Sequence, residues 1–462
     1  MINRKVYIFF TIMVSLFVNA CNTSDDDDRT STSLDFDYEQ YGESFQQMPA
    51  PEDAVIYQVN LRAFSEAGTI NAVTERLDHI QSLGINVLYL MPIYPNGIEN
   101  SAGGLGSPYA VRDYKAVSEE YGSLADLRNL VEEAHDRGMA VVLDWVANHT
   151  AWDNNWVEEH PEYYVTNENG EMIPPAGTNW NDVVQLDFEN ENLQHAMIGA
   201  MAYWVYQANI DGFRCDAADY VPEGFWTAAV SSLRGIKDQE LLMLAEGGEQ
   251  RHLRSGFDYI FGFHYFETLK EIHNGEPATS IQLTHGDEYS TVYDDDKRVV
   301  RYTTNHDVNL SDGTPQELFG GLEGSTATFV VAAYMKSALF IYNGQEIGYD
   351  QRLAFFNKTP INWSQANEEV YAEYQQILQI RANSPAVTHG DYTGYSSANI
   401  VSFTMSNDEE SVWVLANMRN QESSYIVPPA LSGEWQNTMT NTSQNLVNEI
   451  TLAPYEYYIL KK

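Results

Sequence analysis

Eight short apolar runs recur along the chain, and helical stretches separate most of them. They are AVIYQVN (54–60), NVLYLM (86–91), AVVLDW (140–145), IDGFRCD (210–216), LLMLAE (241–246), FDYIFGF (257–263), VVRYTT (299–304) and ALFIYN (338–343). Runs apolar on both faces suit a parallel sheet, which is covered on both sides. Parallel neighbours need a crossover, and stretches such as SLADLRNLVEEAHDRG (123–138) supply one. That stretch opens with Ser123 and Asp126 at capping-box spacing and stops at Gly138. Eight strands in βα order predict an α/β fold, a (β/α)8 TIM barrel.

Two regions break the alternation. Residues 149–185, rich in Trp, Asn, Pro and Gly, predict a short excursion over the barrel mouth after the third strand. Beyond about residue 385, DYTGYSSANIVSFTMS, SVWVLANM and PYEYYIL predict antiparallel strands. The expected organisation is a barrel over 51–148 and 186–385, the excursion over 149–185, and a C-terminal β-sandwich over 386–462. At 462 residues the chain is too long for one ordinary core.

The first residues, MINRKVYIFFTIMVSLFVNAC, place Arg4 and Lys5 before an apolar run too short to span a membrane. They predict a signal peptide over 1–20. VNAC resembles a bacterial lipobox, which implies lipidation at Cys21 and an exported, outer-membrane lipoprotein, facing the cell surface rather than the periplasm. NTSDDDDRTSTS then opens an acidic tether, expected to be flexible over 21–50. Its aspartate run resembles a surface-export signal and reads equally as a plain spacer. Cys215 is the other cysteine, so no disulfide within the chain is expected once Cys21 is lipidated. A formal net charge of −41 argues against nucleic acid as a partner and favours a neutral ligand.

A barrel of this kind works at the C-terminal ends of its strands. Asp144, Asn148 and His149 follow the third run; Arg214 and Asp216 end the fourth; Glu246 ends the fifth; Asn305, His306 and Asp307 end the seventh. Arg214 and Asp216 stand two apart and share a strand face, with Cys215 on the other. Singly, each is accounted for by a structural ion pair or a helix cap. Together they suit glycoside hydrolysis, which needs a carboxylate nucleophile and a carboxylic acid about 5–5.5 Å apart for retention of configuration. Strands about 4.8 Å apart can supply that spacing. No Ser-His-Asp order, P-loop or H-E-x-x-H motif competes.

DWVANH, GFRCD, the glutamate of LLMLAE and TTNHD resemble, in order, the four conserved regions of the α-amylase family, glycoside hydrolase family 13. GSPYAVRDY and IYNGQEIG are supporting matches, and the resemblance runs from about Ala54 to the end. The same motifs resemble those of compact bacterial amylase-like lipoproteins. The resemblance implies a hydrolase of α-1,4 links in starch-like glucans or maltooligosaccharides. It leaves open a cyclomaltodextrinase, neopullulanase-like or transglycosylating enzyme and, more remotely, an inactive glycan-binding lipoprotein. By the same resemblance Asp216 is the nucleophile, Glu246 the general acid and base, and Asp307 the stabiliser of the distorted ring. Arg214 orients Asp216 and keeps it charged. His149 and His306 bind sugar hydroxyls, and Tyr109 stacks under the ring. Asp113, Asp144 and Asn148 are structural. The pKa of Glu246 is expected above that of Asp216. Trp152, Trp156, Tyr163, Tyr164 and Trp180 of the excursion offer rings for stacking on sugars farther along a chain, while any single one reads rather as part of the excursion's own small core.

No cofactor is implied. Many α-amylases hold a structural Ca2+ through the asparagine that is Asn148 here. A second ligand, an aspartate, aligns with Gln185, and a third, a histidine, aligns with Tyr220. Without that carboxylate and imidazole the usual site is expected to be absent or weak. A Ca2+ elsewhere stays open.

Overall fold

The computed structural model describes residues 36–236, 241–292, 294 and 296–462. The expected signal peptide, Cys21 and the tether up to residue 35 lie outside the described residues. Strands β1 (Val55–Val59), β2 (Val87–Leu90), β3 (Ala140–Val146), β4 (Gly212–Asp216), β5 (Leu242–Ala245), β6 (Tyr259–Phe261), β7 (Arg298–Arg301) and β8 (Ala338–Tyr342) close into one parallel barrel, with β8 paired back to β1. All are buried along their length. Side chains fill the inside and helices cover the outside, which is why the runs carry no polar alternation.

Register places the chemistry. Asp144 of β3 lies beside Arg214 of β4, and Val146 beside Asp216. Gly212 opens β4 at φ +152°, against β5, where a Cβ would collide with the Leu242 carbonyl oxygen. Only glycine lets the two strands meet there.

The seventh run departs from expectation. β7 ends at Arg301, and residues 302–305 lead into a helix over His306–Ser311. Asn305 caps it, its Oδ1 accepting from the N–H groups of Asp307 (2.9 Å) and Val308 (3.0 Å). His306 and Asp307 therefore stand on the first helical turn and not on a strand.

In the excursion, His149–Ala151 pairs antiparallel with Val183–Gln185. Ala110, Ala151 and Val183 form a small core with Trp180 against it. The C-terminal region builds a six-stranded antiparallel sheet and a separate two-stranded one (Ser423–Ile426 with Glu449–Leu452). Trp413, Trp435, Tyr425 and Leu452 join one apolar core.

The flexible tether does not extend to residue 50. Residues 36–50 lack regular structure but are held on the barrel's helices. The Tyr41 N–H donates to the Tyr206 carbonyl (2.7 Å), Phe45 is buried and stacks on His135 (4.5 Å), and Tyr38 packs edge-on to Tyr203 (5.6 Å). These aromatic rings give an otherwise polar segment enough apolar area to dock.

Candidate active site

The centre of the site is a guanidinium. Arg214 is buried, and its Nη1 donates to Asp144 Oδ1 (2.7 Å) and Asp216 Oδ1 (2.9 Å). Its Nη2 pairs with Glu246 Oε1. One rigid fork thus holds carboxylates from three adjacent strand ends, a geometry lysine could not supply. Glu246 Oε2 also accepts from the Ala217 N–H (2.8 Å), and the Ala218 N–H donates to the Glu246 carbonyl (3.0 Å). The β4 and β5 loops are tied together where the two carboxylates stand.

A second line of contacts crosses the barrel from β1. Gln58 fixes His306 twice. Its Nε2 donates to Nδ1 (2.8 Å), and its Oε1 accepts the His306 backbone N–H (3.2 Å). Nδ1 is then the acceptor, so the ring proton sits on Nε2 and points at the Tyr109 hydroxyl (2.7 Å). Tyr109 donates in turn to Asp144 Oδ2 (2.9 Å), which also receives Tyr89. The Tyr109 and His306 rings lie nearly parallel, 5.3 Å apart, and Phe355 meets both edge-on.

Burial sets the charge states. It lowers His306 and His149 to about 4 each, so both are neutral near pH 7. Burial lifts Asp216 well above the usual carboxylate range, Arg214 pulls it back, and the facing Glu246, Asp144 and Asp307 lift it again. Burial also raises Glu246, against the pull of Arg214. Both share the one guanidinium, and Asp216 is the more enclosed by other carboxylates. The two carboxyls therefore lose their protons as a coupled pair and not independently. Asp307 is also raised, first by desolvation in the cleft, but half its side chain is open to water.

A cleft of about 620 Å3 runs over these groups, lined by Tyr109, His149, Asp216, Glu246, His306 and Asp307 among others. The structure brings six of the residues singled out in the sequence to this cleft, with Arg214 and Asp144 bonded to each other beside it. Asp113 is not one of the lining residues: it closes the turn VRDYK, accepting from the Lys115 N–H (2.8 Å). Trp180 lines the cleft and packs edge-on to His149 (5.5 Å), whereas Tyr163 and Tyr164 are buried in the excursion as expected of its core. Gln58, Tyr89, Asp219, Phe263, Phe355 and Phe356 were not singled out. Gln58 had a signal, as the one polar residue in the apolar run VIYQV.

The family's usual calcium position does not fit the ion here. The Gln185 amide donates to both the carbonyl oxygen and Oδ1 of Asn148 (3.1 Å each), so N–H groups occupy the oxygens a cation would need. Tyr220 is exposed and packs near Trp180. Among the described residues no group of three or more potential ligands is gathered for a metal.

The family model for the α-amylase catalytic domain matches residues 39–241. An α-amylase of Haloarcula japonica is 24% identical over 403 residues, covering 83% of this chain; the chain spans 58% of that relative's length. An α-amylase of Dictyoglomus thermophilum is 24% identical over 92% of this chain and 79% of its own. Among solved structures, an α-amylase from Lactobacillus plantarum superposes with a TM-score of 0.81 at 28% identity, covering 90% of this chain and 100% of its own. With the barrel, the guanidinium-bound carboxylates and these similarities together, residues 39–241 belong to the α-amylase catalytic-domain family, glycoside hydrolase family 13.

Proposed function

We propose that the protein is a retaining hydrolase of α-1,4-glucosidic bonds in starch-like glucans or maltooligosaccharides. The observation that carries this reading is Arg214 holding Asp144, Asp216 and Glu246 at once beside the Tyr109–His306 platform. Asp216 and Glu246 stand on adjacent strands, in keeping with the short carboxyl separation of retaining enzymes, about 5–5.5 Å.

A glucose ring seats on Tyr109 with its anomeric carbon toward Asp216. Glu246 delivers its proton to the glycosidic oxygen as that bond breaks. The Asp216 oxygen forms the bond to the anomeric carbon, and the shortened alcohol leaves. Glu246, now a carboxylate, takes a proton from water, whose oxygen displaces Asp216. Neutral His149 donates to ring hydroxyls, while His306, its one N–H given to Tyr109, holds the Tyr109 platform in place; neither brings a positive charge against the oxocarbenium-like transition state. Asp307 receives hydroxyl hydrogen bonds that strengthen as the ring distorts. Arg214 keeps Asp216 ionised once Glu246 carries a proton.

Sugar release from soluble starch, with Asp216→Asn as control, tests the reading. Wild-type and variant proteins equally inert would overturn it and favour a glycan-binding protein. Product analysis on amylose, pullulan and cyclodextrin separates hydrolysis of α-1,4 chains from a neopullulanase-like or transglycosylating activity. Lipid attachment at Cys21 and display on the outer membrane belong to the same proposal. Metabolic labelling with palmitate, lost in Cys21→Ala, would support them, and equal labelling of both proteins would refute them.

A further inference from the structure

The cleft has two unlike ends. Asp216 and Glu246 stand at β4 and β5, and β8 and β1 lie diametrically opposite in the barrel. A ring with its anomeric carbon at Asp216 and its leaving oxygen at Glu246 points its 4-hydroxyl edge across the mouth toward β8, β1 and β2. The cleft wall there is Ala102 and Ser107 from the loop after β2, and Phe355 and Phe356 from the loop after β8.

Those loops are laced together. The Leu105 N–H donates to the Phe356 carbonyl (2.8 Å). Arg62, buried after β1, donates through Nη1 to the carbonyls of Gly106 and Phe355 (2.6 Å each). Glu120 neutralises it, 2.9 Å from Nη2. Gly103 adopts φ +71° and lies so close to Phe356 that a Cβ would sit 2.7 Å from the phenylalanine Cβ. Lys358 Nζ reaches the Ala67 carbonyl (3.1 Å), tying the β8 loop to the β1 loop. A buried arginine with its donors spent on loop carbonyls makes this a fixed wall, since parting the loops would strand buried polar groups.

The opposite end continues outward. Asp219 and Phe263 line the cleft and also a second hollow of about 790 Å3, which Gly248 and Glu249 line as well. His252 Nε2, fully buried, holds Asp219 Oδ1 at 2.6 Å, so this threshold is itself fixed. The cleft volume, about 620 Å3, is that of a pocket for a discrete ligand.

We propose that the laced loops close the cleft at its glycone end, so that the enzyme attacks from the non-reducing terminus of an α-glucan. It holds only a short glycone, and the rest of the chain leaves over Asp219 and Phe263. This rests on the hydrolase reading above and adds the direction and end of attack.

The test uses maltoheptaose labelled at its reducing end with 2-aminobenzamide, with and without a 4,6-O-ethylidene cap on the non-reducing glucose. The uncapped chain should shorten from the unlabelled end by a fixed small increment. The capped chain should be cut about 100-fold more slowly, as expected where a group must be forced into a closed wall. Phe356→Ala, which thins the wall without cutting the Arg62 lacing, should raise the capped-to-uncapped rate ratio. Capped and uncapped chains cut within a few-fold of each other, or labelled products of all lengths from the first time point, would overturn the proposal. Failure of wild type on both chains would remove the hydrolase reading itself, and this proposal with it.

Discussion

Replacing His306 by glutamine removes a buried imidazole whose protonation the fold resists. Burial and the neighbouring Arg214 cation lower its pKa from 6.5 to about 4. The unfolded chain therefore binds this proton more readily than the folded one between pH 6.5 and 4. The contribution to stability is present above 6.5 and lost as the pH falls through 4. The full effect is about 3 kcal/mol at about 1.4 kcal/mol per pKa unit, and about 2 kcal/mol of it falls between pH 7 and 5. The raised carboxylates Asp216 and Glu246 act in the opposite sense and mask it in the wild type alone. The difference between the two proteins isolates the histidine. Urea unfolding of wild type and His306→Gln at pH 7 and pH 5 should show the variant losing about 2 kcal/mol less over that interval. Parallel losses in the two proteins would refute the claim that His306 is held neutral by its site.

Three further outcomes follow from the same geometry. Asp216→Asn should lower kcat by on the order of 10^4 or more while raising Tm at pH 7–8. Its wild-type carboxylate is forced to ionise in a crowd of carboxylates, so the gain should shrink as the pH falls toward the ordinary carboxylate range. Gln58→Glu should place a carboxylate on His306 Nδ1, raise the histidine's pKa, and move the acid limb of kcat/KM upward; an unchanged pH profile would deny Gln58 its positioning role. EDTA should leave Tm and activity unchanged, whereas Gln185→Asp combined with Tyr220→His should introduce a Ca2+-dependent rise in Tm. A tightly bound Ca2+ touching Asn148 in the purified wild type would contradict the first half.

The barrel was legible because its strands are apolar on both faces, and that pattern survives without any knowledge of contacts. Arg214 and Asp216 were legible for a related reason: a spacing of two on a strand dictates a shared face. His306 and Asp307 were found, but on the wrong element, because Asn305 ends the extended segment by capping a helix. Gln58 escaped notice because its partner lies 248 residues away, on a neighbour that exists only after the barrel closes. Phe355 and Arg62 escaped for the same reason: the wall they build joins loops from β8, β1 and β2. Composition made residues 36–50 look like a spacer, and it could not register that Tyr38, Tyr41 and Phe45 would each find a surface.

The central claim is that Asp216 forms the bond to the sugar while Glu246 moves the proton. A glycosyl fluoride needs no proton to leave, so Glu246→Gln should still react with α-maltosyl fluoride and then stall, lacking the base for hydrolysis. Peptide mass spectrometry of that variant should find a maltosyl adduct on Asp216, absent in Asp216→Asn. Fluoride release with the adduct on another residue, or wild-type product of inverted configuration, would contradict the account.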